Sequence, residues 1–178
     1  MVTIRCFIAI ELPPEVHQKL GLVIERLSQS KIGVRWVRAQ NIHLTLKFLG
    51  EIPQYKVENV IRILKIEVQR FKPFNIQVEG LGIFPNARRP RVVWVGVKAP
   101  PDLSNLYMGI EAACKTIGFP PEGRDFSPHL TLGRVQPNAT PDEVRRLSEV
   151  VENDTVGSLG GVSVEGLSLF RSDLKPGG

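Results

Sequence analysis

I-H-L-T-L-K-F-L occupies residues 42–49 and P-H-L-T-L-G-R residues 128–134, so a chain with three histidines sets two of them in the same tetrapeptide, H-L-T-L. In an extended strand, alternate side chains point to opposite faces. Leu44 and Leu46 therefore share one face, suited to anchor a strand beneath helices, and His43 and Thr45 share the other. Leu130 and Leu132 separate from His129 and Thr131 in the same way.

The recurrence extends beyond the tetrapeptide. His129 follows His43 by 86 residues, V-E-G-L-S-L-F from Val164 follows V-E-G-L-G-I-F from Val78 by 86, and Pro100-Pro101 follow Pro13-Pro14 by 87. A fixed period with one insertion or deletion marks a duplication. The units span about 1–87 and 88–178 of a single domain, and join at the basic, turn-rich N-A-R-R-P-R of 86–91. Each opens with a short β-branched strand, at 5–10 and 91–97, followed by a helix. Val16, Leu20, Val23, Ile24 and Leu27 form the apolar stripe of the first helix, and Leu103, Leu106, Ile110, Ala113 and Ile117 that of the second. A further helix follows each H-L-T-L: one over 54–70 on Val57, Val60, Ile61, Leu64 and Val68, the other from the capping box of Thr140 and Glu143. The V-E-G-L strands are expected to close their own units, and residues 33–39 to add a strand to the first lobe where 119–125 stays loop-like. The predicted fold is α+β: two duplicated lobes, each a small, mostly antiparallel sheet with helices on its outer face, related by a pseudo-two-fold around a central cleft.

Lys and Arg number 23 against 18 Asp and Glu, a charge of +5 that favours phosphate-bearing partners. The opening V-T-I-R-C-F-I-A-I lacks the layout of a signal peptide, and no apolar stretch approaches the roughly 20 residues a bilayer span needs. Cys6 and Cys114 have no metal or redox spacing, so two buried, reduced thiols and a cytoplasmic location are expected.

If the units are related by a two-fold, the two His-Thr pairs approach each other across the cleft. Opposed imidazoles suit general acid and base work near neutral pH, and the Thr45 and Thr131 hydroxyls can hydrogen-bond phosphoryl oxygens. The reaction matching this set is in-line displacement at phosphorus, with neither metal nor other cofactor required. A metal site is the weaker alternative, because no carboxylate or thiol stands at ligand spacing beside the histidines. A non-catalytic RNA-binding module is the other, and it gives no reason for both tetrapeptides to stay identical while their surroundings diverged. His17 has no counterpart in the second unit, and a surface role is expected for it.

Phe7 aligns with Trp94 at an offset of 87, and both alternate with apolar neighbours, which turns them to the cleft where a base can stack. Arg134 is a candidate phosphate ligand, but strict alternation sets it on the leucine face, so a bend or strand end after Gly133 is required. Arg88, Arg89 and Arg91 are either an RNA-backbone track or a solvated loop.

As a set, F-I-A-I-E-L-P, N-I-H-L-T-L-K-F-L-G, G-I-F-P-N-A-R-R-P-R-V-V-W-V-G-V and F-S-P-H-L-T-L-G-R give the chain a resemblance to the two-histidine phosphoesterases. More narrowly it resembles the RNA 2′,3′-cyclic phosphodiesterases of bacteria and archaea, historically called 2′-5′ RNA ligases. The resemblance implies an enzyme acting on RNA ends that bear a 2′,3′-cyclic phosphate and yielding a 2′-phosphomonoester; a monomer is expected. In that scheme His43 is the proton donor to the leaving 3′-oxygen and His129 the proton acceptor from water, with ATP-independent 2′-5′ ligation as the reverse. Relatives usually continue past a stretch like 174–178 into one more short strand, so an edge strand is in doubt here.

Overall fold

The structure, a computed structural model, describes residues 2–30 and 32–173; residues 174–178, after which relatives continue into an edge strand, lie outside the described residues. In chain order the elements are β1 (Thr3–Ile10), α1 (Pro14–Ser28), β2 (Val34–Trp36), β3 (Leu44–Pro53), α2 (Val57–Val68), β4 (Phe74–Phe84), β5 (Val92–Lys98), α3 (Pro101–Thr116), β6 (His129–Val135), α4 (Pro141–Asn153), β7 (Gly160–Val164) and β8 (Ser168–Arg171). Pro14, Pro101 and Pro141 open their helices, where an absent N–H costs no hydrogen bond. The capping box of α4 forms: Thr140 Oγ1 accepts from the Glu143 N–H, and the Glu143 carboxylate accepts from the Thr140 N–H at 2.7 Å. On α2 the buried stripe runs through Val60, Ile63 and Leu64, whereas Ile61 is exposed, one position off the predicted face.

Two antiparallel sheets result, in the orders β3-β1-β8 and β2-β6-β5-β4-β7. The duplicated lobes are present, but the V-E-G-L strands do not close their own units. β4, from the first unit, pairs with β5 of the second, and β8, from the second, pairs with β1 of the first. The exchange is reciprocal, as a two-fold requires. Helices cross over too: α3 packs on β3, while α1 packs on β2 in the other sheet.

β2 pairs with β6 in the five-stranded sheet, not with the first lobe as expected. Trp36 lies opposite Gly133, where an added Cβ would come within 2.9 Å of the indole and 2.6 Å of Val34. The bare glycine admits the strand. Register also corrects one equivalence. Thr45 and Ser168 flank Ala9, as Thr131 and Gly82 flank Trp94, so Trp94 corresponds to Ala9 and Phe7 to Val92.

Both H-L-T-L strands carry an extra residue. Ile8 faces Lys47 and Ala9 faces Thr45, which leaves Leu46 unpaired; Val93 faces Gly133 and Trp94 faces Thr131, which leaves Leu132 unpaired. A bulge of this kind reverses the alternation beyond it. Lys47 is thereby turned into the core, 2% exposed, where its Nζ donates to Glu111 Oε1 at 2.6 Å and to the Pro120 carbonyl at 2.9 Å. Glu111 Oε2 also accepts from the Glu122 N–H at 2.7 Å. This buried pair thus ties β3 and α3 to the loop leading into β6. Removing one partner strands the other charge, so Lys47→Ala should cost about 3–5 kcal/mol of stability. Urea unfolding of the variant measures this, with a midpoint near that of the parent as the contrary result.

Candidate active site

His43 sits one residue ahead of β3, and His129 is the first residue of β6. Those two strands, one from each sheet, come into contact. His129 Nδ1 donates to the carbonyl two residues before it, that of Ser127, at 2.7 Å; the Asn41 main chain, likewise two residues back, acts on the His43 ring. A neutral imidazole whose Nδ1 donates keeps Nε2 as an acceptor for chemistry. Thr45 and Thr131 are partly buried, like both histidines.

Aromatic side chains wall each histidine. Phe7 and Phe170 stack on His43 with ring centroids at 4.5 and 5.2 Å, and on each other at 5.1 Å. Phe84 meets His129 edge-on at 4.9 Å, with Trp94 at 6.5 Å. Phe84 and Phe170 are equivalent positions on the exchanged strands, so each histidine is flanked by a phenylalanine from the strand the opposite sheet partner contributes. Neither was predicted as a site residue, although both end the repeated V-E-G-L-x-x-F. Trp94 lies across Gly82, where a Cβ would fall 2.2 Å from the indole.

The predicted candidates behave differently. Phe7, already 9% exposed, is engaged by His43 and Phe170 and offers an edge more than an open face. Trp94 is partly buried beside Phe84, and its Nε1 is buried without a partner among the described residues. The Leu132 bulge supplies the bend that Arg134 needed: Arg134 pairs with Val92 and Thr131 with Trp94, and because Val92 and Trp94 are two apart, Arg134 and Thr131 share a face. The matching bulge at Leu46 brings Phe48 to the His-Thr face of the other sheet, 54% exposed and 6.0 Å from Phe7. Phe48 was missed because alternation hides it. Arg88, Arg89 and Arg91 are exposed at the turn between β4 and β5; the first two N–H groups donate to the Asn86 side chain.

His17 is not a surface residue. It is partly buried and its Nε2 bonds the Ile42 carbonyl at 2.9 Å, bracing the peptide that carries His43. Burial is the main cause holding the His43 imidazole below its usual range; the hydrogen bond to Asn41 opposes this, and the charge of His17 adds to it. Cys6 and Cys114 are free and buried, with burial pushing the Cys114 thiol up to about 11.

The LigT like Phosphoesterase family matches residues 10–94 and again 95–178, one match for each half. The chain belongs to that family. Among relatives of this phosphoesterase, a protein of Methanothermobacter thermautotrophicus named RNA 2′,3′-cyclic phosphodiesterase is 34% identical over 98% of this chain and 93% of its own. One of the same name from Thermotoga maritima is 34% identical over 98% and 89%. The crystal structure of TT0787 from Thermus thermophilus superposes with a TM-score of 0.78 at 30% identity, covering 98% of this chain and 91% of that one. That of Escherichia coli LigT complexed with 3′-AMP gives 0.70 at 27%, again over 98% and 91%.

In this phosphoesterase the aromatic wall should govern His43. A depressed pKa means that its burial stabilises the fold fully above about pH 6.5, the unfolded value, and less as the pH falls. Phe170→Ala admits water to the ring, so the His43 pKa should rise toward the ordinary value. NMR titration of the imidazole measures the shift, and a pKa that stays put would leave the wall without that role.

Proposed function

We propose that this phosphoesterase hydrolyses the 2′,3′-cyclic phosphate at RNA ends to a 2′-phosphomonoester, with His43 and His129 as the acid and base. The observation that carries this is the pair of histidines at the heads of two contacting strands, each with a threonine on its own face. The names of the relatives agree with it. His129 Nε2 takes a proton from water as the oxygen–phosphorus bond forms, and His43 gives a proton to the 3′-oxygen as its bond to phosphorus breaks. Thr45 and Thr131 hold non-bridging oxygens, and Arg134, now on the same face, balances their charge. Phe48 offers an open ring for the base. With a 5′-hydroxyl in place of water as the attacking group, the cyclic phosphate opens to a 2′-5′ phosphodiester as its bond to the 3′-oxygen breaks, which is 2′-5′ ligation and needs no ATP.

The acid assignment places a demand on the substrate. His43 is held toward its neutral form in the free protein, while a general acid must be protonated. An anion bound beside it favours the imidazolium and draws a proton in. Binding of a nucleoside 2′-phosphate at pH 7 should therefore take up a fraction of a proton up to about one, measured by calorimetry in buffers of differing ionisation enthalpy. Net proton release would contradict protonation of His43 on anion binding.

Incubation with nucleoside 2′,3′-cyclic phosphates in chelator, with identification of the phosphate isomer, tests the reaction itself. A 2′-phosphate is expected, and His43→Ala and His129→Ala should each lower turnover by about 10²- to 10⁴-fold. A 3′-phosphate would mean that the 2′-oxygen leaves, and no product from the parent would remove the enzyme assignment.

A further inference from the structure

Register sets four side chains in one row across the five-stranded sheet. Arg35 of β2 pairs with Arg134 of β6, Arg134 with Val92 of β5, and Val92 with Phe84 of β4. Residues directly opposite one another in a ladder share a face. The row therefore begins at Phe84, whose ring touches His129, and ends in two adjacent arginines on the same face. Trp36, next to Arg35, points the other way, toward the core.

Two guanidinium groups side by side repel, and like charges opposite one another in a ladder destabilise it. A carboxylate between them would relieve this. Among the described residues neither Arg35 nor Arg134 makes an ion pair. Glu143 lies beside Gly33, just ahead of β2, but its carboxylate is committed to the Thr140 N–H and hydroxyl. Both arginines are exposed and free to meet an external anion.

Their placement also distinguishes one anion from another. Arg134 follows Thr131 on its own strand and falls within reach of the cyclic phosphate. Arg35 lies one strand farther from the histidines, about 5 Å beyond Arg134. It stands too far out to share that phosphate fully, and where a neighbouring phosphodiester of a longer chain would pass. The other sheet offers no such pair: the position equivalent to Arg134 is Phe48.

We propose that Arg35, beside Arg134, is a second phosphate-binding position that holds the phosphodiester next to the cyclic end, so that the site prefers oligonucleotides over mononucleotides. This rests on the phosphodiesterase assignment above. Arg35 is a specificity residue here, without contact to the reacting atoms, and the arrival of β2 in this sheet through Gly133 is what brings it to the cleft.

The test compares a short single-stranded RNA ending in a 2′,3′-cyclic phosphate with the corresponding nucleoside 2′,3′-cyclic phosphate. Arg35→Gln should lower the preference for the oligonucleotide, taken as the ratio of kcat/KM values, about tenfold. It should also reduce the slope of log(kcat/KM) against log salt by about 0.7 for the oligonucleotide, the loss of one phosphate contact. Arg35→Lys should retain the salt slope because the charge remains. Arg145→Gln, on the outer face of α4, should leave the ratio alone. An equal effect of Arg35→Gln on both substrates, or none on the ratio, overturns the proposal. Binding of the labelled oligonucleotide, followed by fluorescence anisotropy, separates the two assignments: a parent protein that binds it with an Arg35-dependent affinity but turns over neither substrate would sink the phosphodiesterase assignment and keep the arginine contact, and affinity independent of Arg35 would sink the contact.

Discussion

Everything in this protein depends on the reciprocal pairing of β4 with β5 and of β8 with β1. Each sheet is completed by a strand from the other half of the chain, so neither sheet is whole without the other half. That constraint brings the two H-L-T-L strands together, since each lies next to an opening strand whose far edge is occupied by the exchanged partner. It also delivers Phe170 to His43 and Phe84 to His129. Aromatic contacts of this type contribute about 0.5–1.5 kcal/mol each, modest for stability but sufficient to set the orientation and solvation of an imidazole.

The bulges at Leu46 and Leu132 act on a smaller scale with comparable effect. One unpaired residue per strand converts a simple alternation into two consecutive inward positions, followed by an outward one. The inward position holds Lys47 in one sheet and Gly133 in the other; the outward one holds Phe48 and Arg134. Lys47 fastens the loop that leads to His129, and Gly133 admits β2. The same backbone device has therefore been used for an ion pair on one side and for strand docking on the other.

Much of this was legible in the chain itself. The duplication, the α+β architecture, the helix faces and the shared His-Thr face all follow from periods of 86, 3.6 and 2, which act locally or by repetition. What escaped was non-local. Partner choice for β2, β4 and β8 depends on which edges are vacant after folding, and a strand sequence carries no label for its neighbour. The equivalence of Phe7 with Trp94 failed because spacing alone cannot distinguish a shift of one rung along β1 from a change in the following loop. Phe48 and Arg134 escaped or stood misplaced because a bulge is a property of a pair of strands. His17 looked superficial because its partner, the Ile42 carbonyl, is 25 positions away.

A molecule whose halves complete one another's sheets is, topologically, a homodimer with its subunits fused in tandem. In two separate copies of one gene product, position 48 and its twin at 134 would have to be the same residue, and the two imidazoles chemical equals. Joining them in a single polypeptide lifted that equality. One half carries an exposed ring where the other carries a cation, so the two faces of the cleft are free to differ in chemistry.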